Sequence, residues 1–226
     1  MFLKPRLGVL SKSLLAIAVS LALTHDSTAQ SKYKVLYAFT GHTDGGGVWD
    51  SVVFDTKGDL YGTTSGGGDF GYGTVFELTP TSHGPWAEAV LHSFMLNDLD
   101  GSEPDTDVIL DSAGNLYGTT PNGGAYNGGT AFELTPGSSG WTLTVLYNFG
   151  AFSGDVGPPR SGLLMDKAGN LYGTGAGGAI GGGGVFELAL DSGVWMESLP
   201  YSFCEKSGCT DGSGINAGLT FDHAGN

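Results

Sequence analysis

The sequence predicts an all-β protein built from propeller-like blades of four strands, and two observations carry this prediction. Glycine accounts for 41 of the 226 residues, more than twice its usual share of roughly 7%, which excludes a helical bundle. A unit of about 55 residues also recurs along the chain, and each copy contains four short apolar segments separated by turn residues. Four strands per repeat without helices are typical of a β-propeller blade.

The charge balance limits the partners of the chain. Asp and Glu number 23 against 9 Lys and Arg, which gives a net charge of −14. Such a chain repels nucleic acids and anionic membranes, so we expect no nucleic-acid partner. The 40% hydrophobic and 11% aromatic content exceeds what a disordered chain carries.

Residues 1–29 have the pattern of a secretory signal peptide. Lys4, Arg6 and Lys12 precede an apolar run over 14–23, and Ser27-Thr28-Ala29 offers small residues for cleavage. The run is about half the ~20 residues of a membrane-spanning helix. We therefore predict an exported protein, secreted or at the cell surface, with no membrane span after cleavage.

The most regular feature of each unit is an Asp-x-x-Gly segment followed by Leu-Tyr-Gly-Thr. An aspartate can accept backbone N–H bonds in a tight turn, and glycine readily takes the positive φ that a short hairpin requires. We interpret both residues as turn formers rather than catalytic groups. The pairs are Asp55 with Gly58, Asp111 with Gly114, Asp166 with Gly169, and Asp222 with Gly225.

Two further markers keep a constant order with the turn. Phe-Glu-Leu recurs at 76–78, 132–134 and 186–188, and an aromatic segment recurs at 35–39, 90–94, 145–149 and 199–203. In the first full unit the strands are predicted at 51–55, 60–64, 74–78 and 89–94. The repeated glutamates Glu77, Glu133 and Glu187 suit a solvent-facing or ladder-pairing role. Residues 30–226 thus form a tandem β-repeat region, with units at approximately 50–105, 106–160 and 161–216 and a partial unit on each side.

The number of units predicts a partial propeller. The chain holds about 3.5 units, whereas a closed ring has 4–8 blades. The last copy stops in a turn at Asn226, so we expect a fragment of a longer propeller. Alternatively, two chains self-associate to complete a ring, because an open sheet edge invites aggregation. A β-solenoid is disfavoured, because its rungs are usually half this length or less.

Cys204 and Cys209 are the two cysteines of the sequence. In an oxidising compartment we expect them to form a disulfide. A loop this short would stabilise a surface segment rather than the whole fold.

The segment 66–71 matches G-x-G-x-x-G, but it lies between two predicted strands. A dinucleotide site needs a strand before this motif and a helix after it. We therefore predict no nucleotide cofactor.

A second aspartate series recurs in the loops before each unit, at Asp44, Asp100, Asp155 and Asp211. The second copy is the richest in acids, and its calcium-ligand candidates are Asp98, Asp100, Asp105 and Asp107. Calcium binds six to eight oxygens, but Asp-Gly is also a common turn former. Both interpretations, calcium binding and turn geometry alone, stay open.

Aromatic residues on or beside loops are candidates for sugar stacking, although tryptophan also fills cores. They are Trp49, Trp86, Trp141, Trp195, Tyr72 and Tyr126. The sequence contains no recognisable catalytic motif, so an enzyme is disfavoured. A glycan-active enzyme would need acids unique to one blade, paired across the ring.

These markers resemble the GloVer tandem repeat of exported bacterial choice-of-anchor proteins, over about residues 33–226. The resemblance implies a secreted or surface-displayed repeat protein, and it brings no catalytic residues. The sequence thus favours a non-enzymatic scaffold that binds or displays a partner, either a carbohydrate or a surface protein. The alternatives are a hydrolase or lyase acting on glycans, and a calcium-stabilised adhesin.

Overall fold

Three consecutive stretches of the chain each form one four-stranded antiparallel sheet in the computed structural model, which describes residues 33–96 and 99–225. The predicted all-β class, with four strands per unit, is confirmed. The predicted signal peptide at 1–29 lies outside the described residues. In the described part of the chain, no helix is long and apolar enough to cross a membrane.

The strands of each sheet pair in the order in which they occur in the chain. The first sheet contains β1 (Val53–Phe54), β2 (Leu60–Thr64), β3 (Thr74–Thr79) and β4 (Ala87–Ser93). The second contains β5 (Ile109–Leu110), β6 (Leu116–Thr120), β7 (Thr130–Gly137) and β8 (Gly140–Asn148). The third contains β9 (Leu164–Met165), β10 (Leu171–Gly175), β11 (Gly184–Asp191) and β12 (Val194–Ser202). A 3₁₀ turn, Ser207–Cys209, follows.

The first strand of the first sheet is shorter than the sequence predicts. Only Val53 and Phe54 pair with β2, and the N–H of Ser51 donates to the Asp50 carboxylate at 2.7 Å. The fourth strand begins earlier than predicted, since Ala87 pairs with Thr79.

The turn between the first two strands of each sheet is closed by its aspartate. Oδ1 of Asp111 accepts hydrogen bonds from the N–H groups of Ala113 and Asn115, both at 2.8 Å. Gly114 adopts φ +89°, and its counterparts Gly58, Gly169 and Gly225 have φ between +87° and +93°. Asp55, Asp166 and Asp222 accept the same kind of backbone bond.

The glycine of Leu-Tyr-Gly-Thr is required by the side chain that packs over it. A Cβ on Gly118 would lie 2.6 Å from Cζ of Phe132, which is fully buried. Gly62 and Gly173 meet Phe76 and Phe186 in the same way. The motif thus opens a slot for an aromatic ring from the neighbouring strand.

The hydrophobic core lies between successive sheets as well as within them. One cluster joins Tyr61, Val75 and Phe94 of the first unit to Leu116 and Phe132 of the second. A second cluster joins the second sheet to the third in the same manner. The aromatic rings cross from unit to unit in edge-to-face pairs with centroids 4.8–5.3 Å apart: Phe39–Phe76, Phe94–Phe132 and Phe149–Phe186.

A threonine hydroxyl links each sheet to the segment that begins the next unit. Thr63 donates to the carbonyl of Thr106 at 2.6 Å, and Thr119 donates to that of Ser161 at 3.2 Å. Thr174 donates to the carbonyl of Ala217 at 3.1 Å. Adjacent units therefore meet through the same hydrogen bond three times, buried in the first two cases and partly buried in the third.

The second and third units differ in the side chains that fill the space between the loop aspartate and the two central strands. Thr120 and Thr130 pair at 2.8 Å, and a Cβ on Gly101 would overlap both hydroxyls. The third unit has Gly175 and Gly184 at the threonine positions, and the fully buried Val156 stands in place of the loop glycine. In the third unit the loop residue Val156, rather than a pair of strand threonines, fills this space. This explains why Asp155 is followed by valine and not by glycine.

Candidate functional site

The repeated glutamate of the third strand accepts a hydrogen bond from the repeated tyrosine of the second strand. Tyr61 donates to Glu77 at 2.7 Å, and Tyr117 donates to Glu133 at 2.9 Å. Tyr172 and Glu187 repeat the contact at 2.9 Å. A group that makes the same contact in every unit serves the fold, so these acids are not candidates for chemistry.

The loop aspartates also make a repeated contact, to the aromatic residue of the preceding fourth-strand segment. Tyr37 donates to Asp44 at 3.1 Å, and Tyr147 donates to Asp155 at 3.5 Å. The fourth copy repeats the contact with Tyr201 and Asp211 at 3.4 Å. In the second copy of this contact His92, on β4 of the first sheet, replaces the tyrosine and lies 3.1 Å from Asp100.

The carboxylates of these loop aspartates also accept hydrogen bonds from backbone N–H groups. Asp155 accepts from the N–H groups of Gly150 and Gly157 at 2.8 and 3.0 Å. Asp211 accepts from Glu205 and Lys206 beside the disulfide that joins Cys204 to Cys209. These contacts close loops.

The calcium-ligand candidates of the second loop copy have different surroundings. Asp100 is buried and pairs with His92, and Asp107 is half-buried with its carboxylate against Gly162. Asp105 is exposed as a whole residue, although its carboxylate is partly desolvated. Asp98 lies outside the described residues. Over residues 33–96 and 99–225, no group of three or more His, Cys, Asp or Glu side chains is arranged to hold a metal ion.

Three of the four tryptophans occupy equivalent positions and pack against the cores. Trp86, Trp141 and Trp195 are partly buried, each against a different cluster. Tyr72 also packs against a core, whereas Tyr126 is 58% exposed. Trp49 differs from the other tryptophans, because it is 76% exposed.

Trp49 lines a polar cleft of about 310 Å³ to which three units contribute. We call it the three-unit cleft. Its walls are Trp49, Ser65, Glu103, Asp105, Pro121, Asn122, Pro158 and Arg160. Trp49, Asp105 and Arg160 each follow the loop aspartate of their own unit by five residues. The cleft therefore lies where equivalent positions of the repeat carry unlike side chains.

The indole of Trp49 is held in place although it is exposed. Its Nε1–H donates to Oγ of Ser65 at 2.8 Å. The backbone of Gly47 lies against the same edge of the ring, where a Cβ would be 3.3 Å from Nε1. A fixed ring loses little conformational freedom when a ligand stacks on it.

Charges of both signs meet in the three-unit cleft. Arg160 is the one arginine after Arg6 in the whole sequence, and no described residue forms an ion pair with it within 4 Å. Burial raises the pKa of Asp105, Arg160 opposes this rise, and the charges of Asp50 and Glu103 add to it. The cleft thus offers one cation, two carboxylates and the amide of Asn122 for hydrogen bonding.

Glu103 stands in a backbone conformation that favours glycine. Its φ is +58°, whereas Gly47 and Gly214 at the equivalent positions have φ +73° and +68°. Its carboxylate accepts a hydrogen bond from Asn122 Nδ2 at 3.1 Å. A left-handed glutamate costs on the order of 1 kcal/mol relative to an unstrained residue, a cost that the two units with glycine at this position avoid.

Sequence reasoning found two members of this cleft, Trp49 and Asp105, but assigned them to different chemistries. It missed Glu103, Asn122 and Arg160. For Glu103 and Arg160 the repeat itself carries a signal, because the third and fifth residues after each loop aspartate differ between units while the markers around them stay constant. Asn122 lies outside this segment, and the sequence carries no such signal for it.

Comparison with known proteins agrees with the repeat markers. No curated protein and no solved structure shows significant similarity to the chain. The family model described as Gloeobacter/Verrucomicrobia repeat matches residues 23–226, which include all twelve strands and the three-unit cleft. The chain therefore belongs to the Gloeobacter/Verrucomicrobia repeat family.

Proposed function

We propose that this protein is an exported, non-enzymatic scaffold whose units are arranged as propeller-like blades and whose three-unit cleft binds a ligand. The blade arrangement is supported by the recurring contacts between units, namely the threonine-to-carbonyl bond and the aromatic pair. Such contacts give each unit the same relation to the next, as in repeat architectures.

The observation that carries the binding role is the contrast between repeated and unit-specific residues. Tyrosine, glutamate and aspartate repeat in the contacts that hold the units together. Trp49, Asp105 and Arg160 occupy equivalent positions, are all exposed, and differ from one another. Residues that vary on a rigid repeated frame are typical of binding loops.

Binding is tested on an array that carries neutral glycans, acidic glycans, peptides and proteins. We expect saturable binding to at least one class by the wild-type protein, and its loss in the double variant W49A/R160A. The Y126A variant, which removes another exposed aromatic ring, is the matched control. If every interaction of the wild-type protein survives in W49A/R160A, the proposal is wrong.

Export is tested separately by intact mass spectrometry of the protein secreted from its own cells. We expect a mature chain that begins after Ala29 and carries two hydrogens fewer, because of the Cys204–Cys209 disulfide. Retention of residues 1–29 on the exported chain would contradict the signal-peptide assignment.

A glycan-active enzyme is the second candidate, and one observation favours it. Burial raises the pKa of both Asp105 and Asp107, and each is an acid that the other units lack at that position. A raised carboxyl pKa suits a general acid. Release of reducing sugar from oligosaccharides, abolished in D105N or D107N, would favour this candidate over the scaffold.

A further inference from the structure

The exposed face of Trp49 sets it apart from the other tryptophans. The other three tryptophans pack against cores, whereas Trp49 is 76% exposed while its N–H is hydrogen-bonded to Ser65. Its nitrogen edge is therefore satisfied by the protein, and the face of the indole is left for a ligand. An aromatic face carries partial negative charge and attracts polarised C–H groups.

The groups around Trp49 are those that bind hydroxyls. Glu103 and Asp105 accept hydrogen bonds, Arg160 donates in a planar fork, and Asn122 does both. A volume of about 310 Å³ lies at the low end of the range for small-molecule pockets. The cleft therefore suits a small polyol ring with one apolar face.

The charges select against ionic ligands. Two carboxylates face one guanidinium in the cleft, and the whole chain carries −14, so an anionic sugar is repelled. Arg160 repels a cationic group beside its guanidinium, although the two carboxylates attract one elsewhere in the cleft. An uncharged ligand avoids the repulsion of either sign and still uses every polar group.

We infer that the three-unit cleft binds a neutral sugar of mono- or disaccharide size, stacked on Trp49 and hydrogen-bonded by Asp105, Glu103, Asn122 and Arg160. The inference rests on the proposed ligand-binding role of the same cleft. Glu103 supports it independently, since a left-handed glutamate stands where two other units have glycine. Its carboxylate is held by Asn122 at the rim of the cleft.

The test is calorimetric titration of the full chain with six probes at up to about 10 mM. They are cellobiose, chitobiose and maltose, and the hexasaccharide of each of the three series. We expect saturable binding of at least one probe, with a change in tryptophan fluorescence. W49A should weaken binding by about tenfold or more, since a central tryptophan is a typical hot spot. W49F should retain part of the affinity, and Y126A should bind like the wild type.

R160A provides a second variant in case W49A lowers the melting temperature, and it should also weaken binding. Absence of saturable binding to all six probes overturns the inference, and so does unchanged affinity in both W49A and R160A. If the array instead identifies a peptide, protein or acidic ligand that depends on the cleft, the sugar is wrong and the binding role stands. If no ligand on the array depends on the cleft, both proposals fail.

Discussion

Nε2 of His92 lies 3.1 Å from Oδ2 of Asp100, at the position where the other units place a tyrosine hydroxyl against the loop aspartate. The replacement of tyrosine by His92 is accompanied by the replacement of a nearby glutamate by leucine. Glu88 and Glu197 stand at equivalent positions of β4 and β12 and approach Asp44 and Asp155, whereas the second unit has Leu143 at that position. The contact between His92 and Asp100 is therefore surrounded by different titratable groups from its counterparts.

The His92 exchange predicts an acid-sensitive contribution to stability. Burial lowers the pKa of His92, and the hydrogen bond to Asp100 opposes this. Because the folded pKa lies below the unfolded value of about 6.5, the unfolded chain binds a proton first as the pH falls. Stability from this site is therefore present above pH 6.5 and lost below it. Urea unfolding at pH 7.5 and 5.5 should show a smaller loss in H92Y than in the wild type. An equal loss in both proteins would contradict this assignment.

Glu197 predicts the opposite dependence on pH. Burial and the charge of Asp155 raise the pKa of Glu197 to about 7, so the folded chain holds the proton more tightly than the unfolded chain. Its contribution is full below about pH 4.5 and is lost as the pH rises through 7, by at most about 3 kcal/mol. In E197Q the free energy of unfolding, measured by urea denaturation, should change less between about pH 4.5 and 7 than in the wild type. E205Q, at an exposed glutamate, is the control and should leave the slope as it is in the wild type.

The turn glycines predict a backbone effect that is free of side-chain clash. A Cβ on Gly169 would meet nothing within 4 Å, but its φ is +91°. G169V should therefore lower the free energy of unfolding by about 1–3 kcal/mol. G218V is the matched control, because Gly218 is equally open and its φ is not in the left-handed region. Equal effects of the two substitutions on chemical denaturation would show that the left-handed turn is not the cause.

The slot under the buried phenylalanine predicts a compensating pair. G118A places a Cβ within 2.6 Å of Phe132 and should destabilise the fold by about 1–3 kcal/mol through overpacking. F132L alone should also destabilise it, by leaving a cavity. In the double variant the two losses should be less than additive, because the smaller side chain relieves the overlap. Strict additivity in thermal unfolding would indicate that the two residues do not share a packing site.

Much of the fold can be predicted from the repeated sequence markers, because the same turn and strand geometry is required in every copy. Asp111 and Gly114 mark a hairpin whose dihedral angles leave few alternatives, and the order of markers predicts four strands per sheet. The roles of Tyr117 and Glu133 could not be predicted in this way, since their contact depends on the pairing register between β6 and β7.

The cleft was harder to predict than the fold, because its residues are far apart in sequence and follow no shared motif. Trp49, Glu103 and Arg160 come from three units, and only the packing of successive sheets brings them to one place. Val156 shows a related difficulty. Its burial depends on the missing threonine pair at Gly175 and Gly184, and neither segment reveals this exchange alone.

We propose that repeated residues build the scaffold and unit-specific residues serve a ligand, and the E103G variant tests this proposal most directly. Measured by chemical denaturation, E103G should be more stable than the wild type by roughly 0.5–1 kcal/mol, since glycine relieves the left-handed strain, and it should bind the cleft ligand more weakly. N127G, which relieves a positive φ of +55° outside the cleft, should leave binding unchanged. A destabilised E103G with wild-type affinity would contradict the account, because Glu103 would then serve the fold and not the ligand.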